Sequence, residues 1–262
     1  MNNHTFVIPA YKDSPYLEAC ILSLIDQSVK SIIIITTSTH SEYIKQTAKK
    51  YSIQVMINNS TNKGIAEDWN FALAQANTQY VTIAHQDDIY NPEFAEKVVQ
   101  KLSCYIKSLI VFTDYSELLN DTIRKNSLNL VVKRLLLFPF FLKSTIGIKL
   151  FKKTPLVFGN PICCPSVTYN LKNLSGFSFS SDYSYNLDWL AWYQLSNKKG
   201  KFVFIKRKLM KHRIHEGSET SKQLKTDGRK NEERKIFEIL WGKYIGRFIS
   251  YIYSLGHKGN II

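Results

Sequence analysis

The chain has 262 residues, 44% of them apolar and 13% aromatic, enough for a packed core and incompatible with global disorder. Its formal charge of +14 is unevenly placed: residues 1–100 hold 7 basic and 10 acidic side chains, whereas the rest holds 28 and 11. A mildly acidic first part and a strongly basic second part predict two surfaces with different partners, the basic one facing something anionic. The longest apolar run, residues 135–142, is too short to span a bilayer and is broken by Pro139. The first residues, MNNHTFVIPAY, lack a basic region ahead of an apolar one, so a cytoplasmic chain without a secretory signal is expected. Cys20, Cys104, Cys163 and Cys164 form no C-x-x-C pair and read as buried thiols.

In chain order, short β-branched runs at 4–8, 31–36, 53–57, 79–84 and 108–113 predict strands. Amphipathic stretches at 15–27, 41–51, 65–76 and 92–103 predict the helices between them. This alternation is that of an α/β fold, a Rossmann-like, mostly parallel sheet flanked by helices. Ser14 before Pro15 and Asn91 before Pro92 are expected to cap two of the helices. From 122 to 153 the chain is basic and apolar with no clear turn chemistry, and no architecture is assigned. A strand at 166–169, a helix at 181–195, two strands at 201–205 and 208–213, and one long basic helix at 228–255 complete the expectation.

In an open α/β sheet, ligands lie beyond the carboxyl ends of the strands. Four segments occupy that place: Pro9-Ala10-Tyr11, Thr37-Ser38, Asn62-Lys63-Gly64 and His85-Gln86-Asp87-Asp88. Each alone reads more readily as an ordinary turn; the four together mark a ligand face. Adjacent carboxylates at the end of a buried strand repel each other and lose solvation unless a cation compensates, so Asp87 and Asp88 predict a site for Mg²⁺ or Mn²⁺. The bland alternative is that they cap the following helix or face water. His85 is either a third ligand, if the ion is Mn²⁺, or a hydrogen-bonding core residue. Neither G-x-G-x-x-G after the first strand nor G-x-x-x-x-G-K-[ST] is present, which argues against a dinucleotide enzyme and a P-loop NTPase.

The runs FVIPAY, NKGIAEDWNFALAQANTQYVTIAHQDDIY, YNLDWLAWYQL and HRIHEGSETS, in that order, resemble family 2 glycosyltransferases of the GT-A fold over about residues 4–221. The resemblance implies an inverting, metal-dependent transferase acting on a nucleotide-diphosphate sugar. It implies base contacts from Pro9, Ala10 and Tyr11, a divalent metal on Asp87 with Asp88 adjacent, and Asp188 as the general base, with Asp182 read as a helix cap. Nucleotide-sugar contacts are also expected from Ser38, Asn62, Gly64, His85 and Gln86. In the HRIHEGSETS loop, Arg213 and His215 are the candidates for the diphosphate; strand alternation turns His212 to the other side, as a structural residue. The sequence departs from the family pattern in three places. The loop after the second strand reads Thr36-Thr37-Ser38-Thr39, without the usual base-contacting Asp, for which Ser38 is a weak substitute. His85 stands where the first Asp of Asp-x-Asp would be, and Trp69 where an Arg often precedes Asn70.

The expected organisation is a glycosyltransferase domain over 1–221, with a nucleotide-binding half at 1–113 and an acceptor-binding and catalytic half at 114–221, followed by a basic amphipathic helix at 222–262. In that last segment Phe237, Leu240, Trp241, Tyr244, Phe248, Ile252 and Leu255 recur at helical spacing. The helix is either an interfacial anchor on anionic lipid or a terminal helix docked on the domain. The 135–142 segment, between Arg134 and Lys143, carries the same ambiguity and could instead wall a groove for a lipid-linked acceptor. Expected partners are therefore a nucleotide-diphosphate sugar, most readily a UDP-sugar, a glycan or lipid-linked acceptor, and an anionic membrane contacted peripherally. The Lys, Asn and Ile richness suggests an AT-rich bacterial genome and surface polysaccharide synthesis. Competing readings are a binder of nucleic acid or anionic polymer, disfavoured because no helix-turn-helix, zinc-finger or RNP pattern is present; a nucleotidyltransferase, disfavoured because PAYKDS is not a Gly-rich, Arg-containing loop; and an inactive relative.

Overall fold

The computed structural model describes residues 3–215 and 227–257. Its sheet is built around β1 (His4–Ala10), parallel to β2 (Ile32–Thr37) on one side and β4 (Tyr80–Ile83) on the other, with β3 (Gln54–Ile57) at the edge. The connecting helices are α1 (Leu17–Ile25), α2 (Glu42–Lys50) and α3 (Ile65–Gln75). Beyond β4 the order changes. A short β9 (Val167–Asn170) lies antiparallel between β4 and β6 (Ser108–Leu119), and β10 (Lys201–Ile214) runs parallel to β6. At the far side β5 (Ile89–Tyr90) pairs antiparallel with β10; α4 (Phe94–Cys104) leads from it to β6.

The two faces of the sheet carry separate cores, as the period-two alternation of strand side chains requires. Val7, Val81 and Ile83 point into one, with Trp189 and Trp192; Phe6, Ile8 and Phe94 point into the other. Because both faces of β1 and β4 are covered, these strands read as near-continuous apolar runs.

The mostly parallel sheet flanked by helices is the expected fold class, and the strands and helices of the first hundred residues fall within a few residues of expectation. The caps do not. Pro15 and Pro92 occupy turns ahead of helices that begin at Leu17 and Phe94. Ser14 Oγ accepts from the Tyr16 N–H, and the Asn91 amide donates to the Lys208 carbonyl, tying the start of α4 to β10. Cys104, at the end of α4, is exposed, whereas the other three thiols are buried. The two late strands are one: β10 is continuous from Lys201 to Ile214, with an irregularity between Ile205 and Lys208 that the sequence shows as a break. β6 continues to Leu119 and turns back through β7 (Thr122–Arg124).

The unassigned segment folds as α5 (Leu128–Leu136), α6 (Phe138–Leu142), a two-residue β8 (Thr145–Ile146) on β10, and α7 (Lys149–Lys153). Ser127 caps α5, its hydroxyl accepting from the Leu130 N–H at 3.3 Å. The helix expected at 181–195 is shorter: α8 (Leu187–Asn197). The long terminal helix is two, α9 (Asp227–Trp241) and α10 (Lys243–His257), which fold back on each other at Gly242. Gly242 has φ +77, a conformation that favours glycine, and a side chain at Gly246 would come within 2.5 Å of the Phe237 carbonyl. Ile249 and Tyr253 pack on the core, so one face of the hairpin docks on the domain. Among the described residues no helix is long and apolar enough to cross a membrane.

Candidate active site

The carboxyl ends of β1 and β4 are clasped together by one side chain. The Tyr11 N–H donates to Gln86 Oε1 at 3.1 Å, and Gln86 Nε2 donates to the Tyr11 carbonyl at 3.2 Å. Gln86 thus holds the turn that presents Tyr11, whose ring stays 47% exposed beside the Lys12 ammonium. Pro9 and Ala10 end β1 in register with Thr36 and Thr37. Asn62 is exposed in the loop after β3, and Gly64 caps α3 with φ +142, a value that a side chain would strain.

A carboxylate missed in the sequence stands in the same mouth. Asp68, on the first turn of α3, accepts from Ser38 Oγ at 2.9 Å and from Asn58 Nδ2 at 3.0 Å. It therefore sits against the β2 loop, from which the family's Asp is missing. The available signal was its place in NKGIAEDWN, four residues after the glycine that caps α3. Its neighbours on α3 are also committed: Trp69 lies 5.2 Å from the His85 ring, and Asn70 makes two hydrogen bonds with the Phe179 backbone.

The segment 85–88 folds into a tight turn, the Asp88 N–H donating to the His85 carbonyl. Candidate ligand atoms of His85, Asp87 and Asp88 all lie within 4.8 Å of one another. Asp88 is fully buried; its Oδ1 is bonded to His212 Nδ1 at 3.0 Å and to the Arg213 N–H at 2.9 Å, while its Oδ2 has no hydrogen-bond partner. His85 Nε2 is likewise buried and without a partner, and burial lowers the His85 pKa, favouring the neutral imidazole that a metal requires. Burial alone would raise the Asp87 carboxyl. The hydrogen bond from His215 Nε2, at 3.0 Å, and the nearby imidazoles instead hold it below the usual carboxylate range.

The end of β10 supplies the basic partners. Arg213 donates from Nε to the Asp87 carbonyl and lies 4.5 Å over the Tyr16 ring, which also contacts His215. Arg213 and His215 therefore both reach Asp87, Arg213 at its main chain and His215 at its carboxylate. His212 reaches Asp88 and belongs to the same cluster rather than to a separate structural role. Burial would lower its pKa, but the charge and hydrogen bond of Asp88, with Asp87, raise it. The rest of the HRIHEGSETS motif, residues 216–221, lies outside the described residues.

Asp188 stands on the first turn of α8, close enough to the cluster for its charge to act on His85. Its Oδ1 accepts from the Trp189 N–H at 2.8 Å and its Oδ2 from Asn160 Nδ2 at 2.7 Å. Burial pushes its carboxyl up in spite of both bonds, which makes it a stronger base than an exposed carboxylate. Asp182 does not cap this helix; it is five residues short of the start, in a turn with Ser180. The turn that leads into this helix is held from the terminal hairpin. Glu232 of α9 takes the successive N–H groups of Ser184, Tyr185 and Asn186 at 2.7, 2.9 and 2.9 Å. Glu232→Gln is expected to cost about 1.5–3 kcal/mol, the worth of a charge-assisted bond. Calorimetric melting measures it, with the exposed Glu42→Gln unchanged as control.

The sheet rim thus carries a clasped Tyr turn, an acid pair beside the unpartnered His85 Nε2 and Asp88 Oδ2, and a nearby carboxylate on α8. Residues 5–174 match the model of Glycosyl transferase family 2. The chain belongs to glycosyl transferase family 2. This family-2 chain is a glycosyltransferase, and the nucleotidyltransferase and polymer-binding readings fall away. It is 24% identical over 247 residues to an uncharacterized glycosyltransferase of Rickettsia typhi, covering 92% of this chain and 71% of that one. Among solved structures, S. aureus TarS 1–349 in complex with UDP-GlcNAc superimposes with a TM-score of 0.64 at 16% identity, over 98% of this chain and 72% of TarS 1–349. A mannosyltransferase from Pyrobaculum calidifontis, in complex with GDP-Man and Mn²⁺, gives 0.59 at 12% identity, over 99% and 69%. At such identities the likeness establishes the shared GT-A fold.

Proposed function

We propose that the protein is an inverting, metal-dependent transferase that moves a sugar from a UDP-sugar to a hydroxyl of a glycan or lipid-linked acceptor. Its setting is bacterial surface polysaccharide synthesis on the cytoplasmic side of the membrane. The observation that carries this reading is the meeting, at one sheet rim, of the buried open valences of His85 Nε2 and Asp88 Oδ2 with Asp87, and near them the half-buried carboxylate of Asp188 on α8. Residues 1–113 form the nucleotide half, 114–221 the acceptor half, and 222–262 an extension that braces α8 through Glu232. The UDP and UDP-GlcNAc complexes of TarS support the donor class, and the Mn²⁺ complex of the mannosyltransferase supports the ion.

His85, Asp87 and Asp88 fit a divalent cation, since a neutral imidazole nitrogen and carboxylate oxygens suit Mn²⁺, and Mg²⁺ would draw on the carboxylates alone. When bound, the ion would neutralise charge on the departing diphosphate as a Lewis acid. The chain's own groups do the rest. Asp188 takes the proton of the acceptor hydroxyl as its oxygen attacks the anomeric carbon, and the electrons of the breaking C–O bond leave with the nucleoside diphosphate. One displacement with one base inverts the anomeric centre. Arg213 and His215, beside Asp87, add cationic and hydrogen-bonding groups for the diphosphate.

Pro9, Ala10 and Tyr11 line the base pocket, with main-chain groups of Asn62 and Gly64. Asp68, held by Ser38, supplies the carboxylate that accepts from the N3–H of uracil in place of the missing loop Asp. Asp68→Ala is expected to weaken UDP binding about 10- to 100-fold by calorimetric titration, the worth of one charge-assisted hydrogen bond. Unchanged affinity would remove Asp68 from the pocket. The reading as a whole is tested by thermal shift with UDP, GDP and TDP, each with and without Mn²⁺: UDP with Mn²⁺ raises Tm most. No rise with any of the three would overturn it.

A further inference from the structure

Helix α5 is amphipathic the wrong way round for a domain helix. Leu128, Val131, Val132 and Leu135 recur at i, i+3, i+4 and i+7, the spacing of one face, and all four are exposed, Leu135 by 68%. The charged side chains of the same helix turn inward instead: Arg134 pairs with the buried Asp114 at 3.0 Å, and Lys133 donates to Tyr115 beside the site. Helix α10 repeats the inversion. Tyr244, Phe248, Tyr251 and Ile252 form an outward stripe, 84% exposed at Tyr244 and 65% at Phe248, while Ile249 and Tyr253 face the core.

The two helices that bear the stripes lie close together. Gly159 lies against Leu136 of α5 and Tyr253 of α10, and Phe158, itself exposed, stacks 5.3 Å from Trp241 at the hairpin turn. Phe138, Leu142, Leu150 and Phe151, on the short helices α6 and α7, extend the apolar surface. The segments that carry it are basic. No acidic residue occurs between Asp121 and Asp182, a stretch holding nine Lys and Arg, and none follows Glu238, which is paired with Arg247 of α10. An apolar surface of this size borne on basic segments matches an anionic bilayer, where apolar side chains enter the acyl boundary and lysines meet headgroup phosphates. Nucleic acid offers no counterpart to the apolar stripes.

We propose that this face, α5 to α7 with the outer side of α10, is a monotopic membrane-docking surface for anionic lipid. It sets the acceptor half of the enzyme against the bilayer, since α5 carries the stripe outside and Lys133 inside. This placement of a lipid-linked acceptor rests on the proposed transferase function; the docking itself does not.

The test is co-sedimentation of the full chain with vesicles of phosphatidylcholine alone or with phosphatidylglycerol at about one third, at low and high salt. Binding to the anionic vesicles is expected to exceed that to neutral ones by at least about tenfold, given a contribution of roughly fivefold per lysine at the surface, and to weaken with salt. Leu135→Glu and Phe248→Glu each reduce it at least about tenfold, while the Tm rise with UDP and Mn²⁺ stays as in the parent chain. Because both sites are exposed, the variants fold, and melting checks this directly. Absence of binding to anionic vesicles at low salt overturns the proposal. So does a dimer in light scattering that Phe248→Glu dissociates, because the face would then be a contact between two copies. Absence of a response to UDP, GDP and TDP alike in the parent chain, with vesicle binding intact, would instead overturn the transferase reading alone.

Discussion

Asp188→Asn is expected to lower the rate of sugar transfer by about 10²–10⁴, with UDP affinity unchanged and Tm unchanged or raised. The rate falls because an amide cannot take the acceptor proton, while its oxygen can still accept from the Trp189 N–H and its NH2 can donate to the otherwise unpartnered Oδ1 of Asn160 once that amide turns over. The stability effect has the opposite direction. Burial raises the Asp188 carboxyl above its unfolded value, so the folded state holds the proton more tightly. The ionised group therefore costs stability as pH rises through its raised pKa, and the neutral amide removes that cost. Transfer by the parent enzyme should fall as pH drops through the same raised value, because only the carboxylate is a base. Steady-state kinetics, titration of UDP and melting curves give three separate readouts. A variant with parent-like kcat would move the base elsewhere.

Asp87→Asn is expected to abolish the Mn²⁺-dependent part of the UDP thermal shift and to lower transfer by about 10²–10³, several kcal/mol of leaving-group stabilisation. A second, acid-side effect accompanies it. Asp87 is held below its ordinary value, so it stabilises the fold above the unfolded carboxylate pKa, and that contribution is lost as pH falls through the folded one. The variant should therefore lose stability at neutral pH relative to the parent and converge with it in acid. A Mn²⁺ response equal to the parent's would show that the ion, if bound, sits elsewhere. Asp88→Asn is a weaker probe, because its buried carboxylate also fastens His212 and the Arg213 backbone, and loss of function would mix binding with folding.

Much of this was legible in the chain. Val7 and Ile83 lie one face over from Phe6 and Ile8 because strand side chains alternate, which is a local property. The places of Tyr11, Ser38, Gly64 and Asp87 at the sheet's carboxyl edge were legible because each lies in the turn after a strand or opens a helix. The failures are equally specific. Proline ahead of α1 and α4 signalled helix starts two residues early, because the turn that precedes each helix uses the same residues. The gap at Lys206 and Arg207 suggested two strands, because a bulge within β10 puts polar residues where the alternation slips. Gly242 was overlooked as a helix stop because the apolar spacing continues on both sides of it.

The sequence by itself determined the elements of the first hundred residues, the family and the rim on which the acids sit, since each of these is written in residues near one another along the chain. Only the tertiary structure decided that Asp68 stands against the empty place in the β2 loop, that His212 reaches Asp88 across 124 positions, and that Glu232 holds the turn ahead of the helix bearing Asp188. It also decided which way the stripes of α5 and α10 face. Helical spacing shows that a helix has an apolar side; whether that side is buried depends on what the sheet order and the neighbouring helices bring against it, and here both inward faces are already taken by Asp114, Tyr115 and the core around Trp189.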